Sequence, residues 1–437
     1  ASNNTGIGFE ALNANTTGTY NTAIGSNAGA ANTTGGSNTA IGGLAFDANT
    51  TGTSSVAVGV SALGANTTGT ANVAVGQGAL ELNTTASNNT AVGRQALTAN
   101  TTGHQAVAVG SGALAANTTA HSNTAVGYLA LNDNTTGALN TALGTFTLDV
   151  NTTGGNNTGL GYGALTANTT ASNNTGVGYL ALAANTTASN NTAVGYHSLL
   201  ANTTGTVNTA IGAQALESAT TGASNTAVGY GAALALTTGV EGVYLGRESG
   251  TNITTGNRNV VIGYHSETTA VDTDNSIVIG RNVTGVNGSY VFTFGSNVGS
   301  DRVYNEFDTN ASWARVSDER YKEEIQDNTD CGLAFINDLR PVTFKWRPKA
   351  SVPETFPDYD PQLTTRRKDQ KMYGLIAQEV KAALDTHNIT DFGGWNEIQD
   401  TVQTISQEMF VHPLIKAVQE LSEKLDAAEA RITQLEA

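Results

Sequence analysis

Charge is scarce in the first half of this 437-residue chain. Up to residue 240 the sequence has one basic side chain, Arg94, and six acidic ones, whereas a conventional globular domain of that length carries many more. The net charge of the whole chain is −16. No basic surface is therefore available to neutralise phosphates, which excludes nucleic acid as a partner. The carboxylates are too scattered for the paired acids of a glycan-degrading rod.

Cysteine and long apolar runs are also scarce. The one cysteine, Cys331, cannot form an internal disulfide, which agrees with assembly in a reducing cytoplasm, and we interpret it as a structural thiol. No apolar run approaches the roughly 20 residues of a membrane-spanning helix, so no membrane insertion is expected. The sequence opens on Ala1 within a repeat, and we interpret it as a fragment or trimmed product whose N-terminal attachment region is missing.

Glycine, in contrast, is abundant and strictly periodic. Seventeen glycines follow one another at intervals of 17 residues without an insertion. They are Gly8, Gly25, Gly42, Gly59, Gly76, Gly93, Gly110, Gly127, Gly144, Gly161, Gly178, Gly195, Gly212, Gly229, Gly246, Gly263 and Gly280. Such a period is typical of a solenoid, in which each repeat is too small to bury a core alone.

The residues around each glycine repeat with it, and the unit reads N-T-A-V-G-x-x-A-L-x-A-N-T-T-G-x-x. The residue before the glycine is always aliphatic and in most turns β-branched, which predicts a short strand. The glycine itself predicts a corner with positive φ. Asparagine stands seven positions later, unbroken from Asn15 to Asn202, and predicts a second corner at which asparagine side chains hydrogen-bond from turn to turn.

These features predict a mainly β fold, with a parallel β-roll or β-solenoid rod over residues 1–295 that becomes irregular from about residue 230. Seventeen turns at about 4.8 Å each would make a rod on the order of 80 Å long. Each turn supplies two sizeable apolar side chains, which is a thin core for a monomer. We therefore expect three chains to pool their cores in a homotrimer.

The N-T-A-[V/I]-G half of the unit resembles the head repeats of trimeric autotransporter adhesins, whose N-S-x-A-I-G units form left-handed parallel β-rolls. The resemblance implies a trimeric roll and surface display or host attachment. The longer A-L-x-A-N-T-T-G half departs from that pattern, which leaves the handedness and the trimer contacts open.

Two columns of side chains on the rod have possible functional meanings. Tyrosines recur directly after the glycine, and we expect them to stack as a ladder, with a sugar-binding strip as the alternative. They are Tyr128, Tyr162, Tyr179, Tyr196, Tyr230 and Tyr264. His104 and His121 stand one turn apart, but no carboxylate recurs with them, so no metal site is expected, and no cofactor either.

The repeat pattern loosens after Gly229, where charged residues such as Glu241 and Arg247 enter the sequence. Residues 289–295 alternate as an ordinary strand, and we predict a neck over residues 296–316. If one region of the rod contacts a receptor, this less regular end is the preferred candidate.

The rod ends at a short charged stretch, Ser317-Asp318-Glu319-Arg320-Tyr321-Lys322. On a helix, residues five apart lie about 140° from each other, so this spacing does not bring Ser317 and Lys322 onto one face. Catalysis would need a base that removes the serine proton, and lysine is such a base only when burial lowers its pKa. Taken alone, the stretch is more typical of a solvated charged helix start.

Three further motifs follow the S-D-x-R-x-K stretch in the sequence. They are L-R-P-V-T-F-K-W at 339–346, Y-G-L-I-A-Q-E-V at 373–380 and P-L-I-K-A-V-Q-E-L at 413–421. In order and spacing, the four motifs resemble the endosialidase-type intramolecular chaperone domain of phage tail fibres and tailspikes, over residues 317–437.

The resemblance implies a small α+β domain that drives trimerisation of the fibre ahead of it and then removes itself by autoproteolysis. It implies Ser317 as the nucleophile, Lys322 as its base and a single cut per chain between Val316 and Ser317. Asp318 and Arg320 also match, and we expect them to shape the turn. Some members of the family keep the domain uncleaved. No enzymatic activity is expected in the rod.

The end of the chain carries a heptad pattern over residues 411–436 that predicts a coiled coil. One heptad position holds Val411, Val418, Leu425 and Ile432, and the other holds Leu414, Leu421, Ala428 and Leu435. Three strands would match a trimeric rod.

Together these observations predict a trimeric phage tail fibre with a self-cleaving chaperone domain at its C-terminal end. The expected partners are a glycan or protein receptor on the host surface and other virion proteins bound through the missing N-terminus. We expect assembly in the host cytoplasm and a final location in the virion. The alternatives are a cellular surface adhesin of the autotransporter type and a purely structural spacer fibre.

Overall fold

The computed structural model describes residues 1–286, 288–296, 302–306, 314–315, 323–354, 359, 361–362, 364–365, 371–398 and 402–436. The chain divides into two compact units, Ala1–Asp318 and Glu319–Ala437.

The described residues of the first unit form a β-solenoid, whose regular turns contribute seventeen short strands. They are β1 Thr5–Ile7, β2 Thr22–Ile24, β3 Thr39–Ile41, β4 Val56–Val58, β5 Val73–Val75, β6 Thr90–Val92, β7 Val107–Val109, β8 Thr124–Val126, β9 Thr141–Leu143, β10 Thr158–Leu160, β11 Thr175–Val177, β12 Thr192–Val194, β13 Thr209–Ile211, β14 Thr226–Val228, β15 Val243–Leu245, β16 Val260–Ile262 and β17 Ile277–Arg281. Each pairs in parallel with the next in a 17-residue register, so that Ala23 lies beside Ala40 and Ala40 beside Ala57. The predicted fold class is confirmed.

Three further strands follow the regular turns. They are β18 Val291–Ser296, β19 Arg302–Glu306 and β20 Ala314–Arg315. Strand β18 is parallel to β17, but Ile277 pairs with Phe292, two residues short of the regular register. Strand β19 runs antiparallel to β18, and β20 antiparallel to β19. The described solenoid therefore changes at this end from parallel turns to antiparallel strands.

The first sixteen strands each end directly before a glycine whose position admits no side chain. Gly25 has φ +135, and a Cβ built on it would lie 2.5 Å from the carbonyl oxygen of Gly42 in the next turn. Both the backbone conformation and the close approach of the next turn exclude a side chain. The predicted glycine corner is confirmed.

Only one of the two apolar columns lies inside the solenoid. In each strand the middle residue points inward, as Ala91 does with no exposed surface, and the leucine four residues after the glycine, such as Leu97, is buried beside it. The aliphatic residue before the glycine faces outward, with Ile24 37% exposed and Ile211 42% exposed. The interior of one chain is thus an alanine and leucine core, and a second apolar column lies on the outer face of the sheet.

Asparagine side chains supply the polar part of the interior. From Asn32 to Asn202, each member of the predicted column donates from Nδ2 to Oδ1 of the asparagine one turn earlier. A second column, which the sequence analysis did not assign, accepts from backbone N–H groups, as when Asn157 Oδ1 accepts from the N–H of Asn174 at 3.0 Å. These bonds satisfy polar groups that burial would otherwise leave without partners.

The first asparagine column ends at Asn202 because Ala219 occupies the equivalent position in the next turn. Asn202 Oδ1 is buried and, among the described residues, accepts no hydrogen bond. Leu236 and Ile253 continue the column as buried apolar residues. The buried side chains of this column therefore change from amides to hydrocarbons along the solenoid.

Three non-glycine residues in a typical turn adopt the left-handed conformation, which the sequence did not predict. In one turn they are Ser54, Ser61 and Leu63, with φ between 53° and 58°. This conformation costs about 1 kcal/mol or more for a residue with a Cβ. It allows the N–H groups to bond to adjacent turns, as Leu63 does to the carbonyl of Ala79 at 3.0 Å. The repeated hydrogen bonds between turns offset the local strain.

One turn fills its interior differently from the others. Tyr244 takes the inward strand position that is usually alanine, and it is fully buried. The leucine position of the same turn is Gly250, on which a Cβ would lie 2.5 Å from Tyr244 Cδ1. Gly242 stands in the second asparagine column, and a Cβ there would lie 2.4 Å from Tyr244 Cε2. The large side chain is accommodated because two neighbouring side chains are absent.

In the residues described for it, the second unit has three α-helices and two antiparallel hairpins. Its elements are α1 Leu333–Asn337, β21 Val342–Phe344, β22 Met372–Gly374, α2 Ala377–Thr386, β23 Trp395–Ile398, β24 Val402–Ile405 and α3 Val411–Glu436, with 3-10 helices at Lys349–Ser351 and Gln407–Phe410. Strands β21 and β22 form one hairpin and β23 and β24 the other. As predicted, the unit is small, mixes helix and strand, and ends in a long helix.

Aromatic packing centres the core of the second unit on Phe335, which is fully buried. The rings of Phe392 and Phe410 lie 5.8 and 6.5 Å from it. Among the residues that the structure describes, no helix combines the length and apolarity needed to cross a bilayer.

The asparagine column yields the first prediction. Asn168 donates to Asn151 Oδ1 at 2.8 Å and accepts from Asn185 at 2.9 Å. In Asn168→Asp an ionised carboxylate cannot donate and faces buried acceptors, so we expect a loss of about 2 kcal/mol or more in unfolding free energy at pH 7. The loss should shrink near pH 4, where a protonated aspartate donates again. Denaturant unfolding followed by circular dichroism measures both values.

The exposed residue Asn173, five positions along the same turn, provides the matched control. Asn173→Asp should change the unfolding free energy by no more than about 0.5 kcal/mol. Equal effects of the two substitutions would contradict a stabilising asparagine column.

The packing of Tyr244 against Gly250 yields the second prediction, which a double-mutant cycle tests. Tyr244→Ala leaves a cavity and should cost about 3–5 kcal/mol. Gly250→Leu overpacks the same space and should cost about 1–3 kcal/mol. The double variant recreates the alanine and leucine of other turns, so we expect it to be more stable than either single variant by thermal and denaturant unfolding. Additive losses would show that the two positions do not share one space.

Candidate functional site

The predicted catalytic residues lie outside the described residues. This applies to Ser317 and Lys322, to the cleavage position at Val316 and to the motif residues Asp318 and Arg320. Their roles remain predictions. The structure does describe the other motifs of the C-terminal unit.

Two of those motifs, at 339–346 and 373–380, meet in one hairpin. Val342 pairs with Gly374 and Phe344 with Met372. Beside the hairpin, the guanidinium of Arg340 donates to both carboxylate oxygens of Glu379, the Nε to Oε2 bond measuring 3.1 Å. This hydrogen bond lowers the pKa of the Glu379 carboxyl below its ordinary value. The two sequence-distant motifs are therefore one structural element.

An open cavity of about 1000 Å³ lies beside this hairpin. Its lining comes from residues 340–344, 346, 375–378, 403–405 and 407. Trp346, 58% exposed, packs edge-on against Phe344 at a ring distance of 5.3 Å. The described lining is mostly apolar, and its polar groups are the guanidinium of Arg340, two threonine hydroxyls and three glutamine amides.

The sequence analysis identified two walls of this cavity and missed the third. Residues 403–407 belong to none of the four motifs named above. They reach the cavity because β24 pairs with β23, as when Trp395 lies opposite Ile405. The alternation Val-Gln-Thr-Ile from Val402 to Ile405 was the available signal for a strand.

Cys331 lies in the core of the second unit and is 7% exposed. Burial raises the pKa of its thiol. A buried thiol with a raised pKa is a poor nucleophile, which agrees with the structural role expected for it.

Helix α3 has one covered face and one uncovered face. Pro413 and Ala417 are buried, and Glu420 Oε2 accepts from the N–H of Leu333 at 2.8 Å. The heptad positions on the other face are exposed, with Val418 at 64% and Leu425 at 58%. From residue 421 to residue 436 every residue of the helix is exposed. These exposed heptad residues form an apolar stripe, called here the seam of α3. An isolated helix with such a stripe is only marginally stable in water, so we expect the seam to pack against partner helices.

No group of three or more histidine, cysteine, aspartate or glutamate side chains that could hold a metal ion occurs among the described residues. His104 and His121 stack on each other with ring centroids 5.2 Å apart. This pair is an aromatic contact between adjacent turns.

Comparison with known proteins gives a family match for the first part of the second unit. Residues 317–389 match the family described as chaperone of endosialidase. No characterised protein and no solved structure gives a significant match to the chain. The family is associated with phages and implies trimer formation. In the order of the sequence, the chain therefore carries a β-solenoid of 17-residue turns followed by a chaperone of endosialidase domain. This organisation supports a phage-fibre-like trimer assembly protein.

Proposed function

We propose that the chain is a trimeric phage tail fibre whose solenoid attaches to a host cell and whose C-terminal domain directs assembly and then cleaves itself off. The observation that carries the proposal is the uncovered heptad seam of α3 within a chain that matches the chaperone of endosialidase family. A domain that brings three copies of this helix together also brings three solenoids together.

The outer face of the solenoid supports a trimeric rod. An aliphatic residue stands on that face in each turn, and the exposed members include Ile24, Ile41, Leu143, Leu160, Ile211 and Val228. These residues form one column because the strands pair in a constant register. An apolar column of this length is costly to leave in water, and two further copies of the same column are complementary to it.

Assembly of identical repeats poses a problem of register. A chain shifted by 17 residues against its neighbour presents nearly the same surface, so three solenoids alone do not specify their alignment. A C-terminal domain that trimerises first fixes that alignment. After the domain is removed, the cleaved chains cannot dissociate and reassemble by the same pathway, and the fibre becomes kinetically stable.

The cleavage chemistry belongs to the S-D-x-R-x-K motif. The Oγ of Ser317 attacks the carbonyl carbon of Val316 while Lys322 accepts the hydroxyl proton. The C–N bond between Val316 and Ser317 then breaks, and its nitrogen takes up that proton as an ester forms between Val316 and Ser317 Oγ. Water hydrolyses the ester, and the two fragments of the chain separate. Each chain makes one cut in its own assembly, so no turnover is involved. The released solenoid contacts a host-surface receptor and joins other virion proteins, with the virion as its location.

The seam of α3 yields the third prediction. Leu425→Lys puts charges into the seam, so we expect the trimer to dissociate at least tenfold more readily, or to be lost. Leu425 is exposed in the single chain, so the fold of the unit itself should survive. Multi-angle light scattering after size exclusion, in a Ser317→Ala background that retains the helix, measures the mass.

Glu423→Lys places a lysine on the opposite, exposed face of the helix, with a larger change of charge than Leu425→Lys, and should leave the trimer intact. Loss of the trimer in Glu423→Lys as well, or its persistence in Leu425→Lys, would rule out assembly through the seam.

Cleavage yields the fourth prediction. Intact-mass measurement on freshly expressed protein should give two products that divide at Val316–Ser317. Ser317→Ala and Lys322→Ala should each give only the full-length chain, because one lacks the nucleophile and the other the base. Ser312→Ala, a serine in the same stretch, is the control and should cleave normally.

The possible results separate the two parts of the proposal. A wild type that is trimeric but uncut would support the assembly function and contradict the autoprotease activity. An uncut wild type that is monomeric would contradict both.

A further inference from the structure

The outer face of the solenoid strands carries two columns of side chains. In β2 to β17 the second residue of each strand is buried, so the first and third residues lie on the outer face. The third residue is aliphatic in all seventeen strands, whereas threonine is the first residue in eleven of them and valine or isoleucine in the other six. One column is therefore apolar throughout, and the other carries mostly hydroxyl groups.

The threonine column gives way to apolar residues at one end of the solenoid. Threonine is the first residue of every strand from β8 to β14, and no strand from β15 onward begins with it. Both outer columns are apolar in four consecutive strands, β15 to β18, and the longest such run elsewhere is the pair β4 and β5. The eight residues of that run, called here the end patch, are Val243, Leu245, Val260, Ile262, Ile277, Ile279, Phe292 and Phe294.

The strand register makes the end patch one continuous surface. Val260 pairs with Val243 on one side and with Ile277 on the other, and the third residues pair in the same way. Ile279 is 36% exposed in the single chain. Four strands with their side chains cover about 20 Å by about 10 Å, or roughly 200 Å². A stable interface needs about 800 Å² on each partner, so the end patch can only add to a larger contact.

Charged groups border the end patch. Two residues before β15 and β16 stand Glu241 and Arg258, and Arg258 Nε donates to Glu241 Oε2 at 2.9 Å. Beyond the other edge, the guanidinium carbon of Arg247 lies 5.4 Å from the ring of Tyr264. The first 240 residues have one basic side chain, Arg94, so charge enters the sequence where the outer face becomes apolar. An apolar centre with a polar rim is the usual anatomy of a contact between proteins.

The tyrosine column, which lies next to the aliphatic column, is completed within one chain. As expected, its rings stack from turn to turn, with Tyr179 5.4 Å from Tyr162 and 5.6 Å from Tyr196. Stacked rings cover each other's faces, which counts against the alternative of a sugar-binding strip. The aliphatic residues of the end patch, in contrast, remain partly exposed on the single chain.

We propose that the end patch is a contact surface between copies of this chain, at which the trimer interface widens from one column of side chains to two. The occupant is the same patch on the two other copies, because the aliphatic column proposed above as the trimer contact runs directly into it. A symmetric assembly places identical patches at the same level. Along β8 to β14 the threonine column stays in contact with water. This inference rests on the proposed trimeric rod.

The end patch also distinguishes the aligned register from a shifted one. If one chain moved by a single turn, Thr226 of that chain would take the level of Val243 in its neighbours. A hydroxyl would then be buried against hydrocarbon, and one row of the patch would lose its apolar contact. The rod itself therefore contains a marker of alignment, which remains after the C-terminal domain has been removed.

A pair of cysteine variants tests the widening. Val260→Cys lies in the end patch and Thr192→Cys in the threonine run; both positions are first residues of strands and half-buried in the single chain. In the full chain with Ser317→Ala, Val260→Cys should react with a maleimide at least tenfold more slowly than Thr192→Cys. Intact mass follows the reaction, and each rate is divided by that of the same variant in denaturant. Cys331, 7% exposed, gives a background that the parent chain measures.

A second pair of variants measures the contact by its loss. Val260→Lys and Thr192→Lys place the same side chain at the same position of two turns. A lysine in a closed apolar contact is desolvated, so Val260→Lys should raise the dissociation constant of the trimer at least tenfold, whereas Thr192→Lys should change it less than threefold. Analytical ultracentrifugation measures dissociation, and circular dichroism checks that both variants keep the solenoid.

Light scattering of the parent chain separates this inference from the proposed function. A monomeric parent contradicts the trimer and, with it, the contact at the end patch. A trimeric parent in which the two cysteines react at equal rates, or in which the two lysines weaken the trimer equally, overturns the end patch alone. Slow reaction and strong dissociation confined to the Val260 variants support it.

Discussion

Hydrogen bonding between turns in a constant 17-residue register is the constraint on which the solenoid depends. Each strand pairs with the next, and backbone groups outside the strands bond to neighbouring turns as well. Because the axial spacing is set by these bonds, the corner glycines must allow the next turn to approach closely. Buried asparagines repeat in the first column as far as Asn202, and each satisfies the one before it. One periodic set of bonds thus determines which residues are permitted at most positions of the repeat.

The sequence predicted the features that this periodicity expresses directly. The period, the glycine corners and the asparagine column could be read because each depends on residue type at a fixed interval. The left-handed conformation of Leu63 could not, since leucine has no local preference for it and adopts it only because bonds to adjacent turns offset the strain. The outward direction of Ile24 was equally hidden, because two apolar columns in a three-residue strand do not reveal which one faces in.

The candidate sites divide in the same way. The hairpin at Val342 and Gly374 and the seam of α3 were visible as motifs and heptads, whereas the wall at residues 403–407 depended on tertiary pairing of β24. Both units of the chain carry apolar surfaces that the single chain leaves uncovered: the outer column of the solenoid and the seam of the helix. Each is a repeated pattern on one face, and a symmetric assembly covers such patterns by bringing together copies of the same surface.

The constant register also affects how such a molecule can change over evolutionary time. Duplication or in-frame deletion of one whole repeat adds or removes a strand, a corner and one member of each side-chain column, and the newly adjacent turns meet as the old ones did. Unequal recombination within the gene can therefore alter the reach of the rod without redesigning either end. The turn of Tyr244 is an exception, because Tyr244 fits only beside the glycines of its own turn. Variation in length should therefore concentrate in the uniform turns before it.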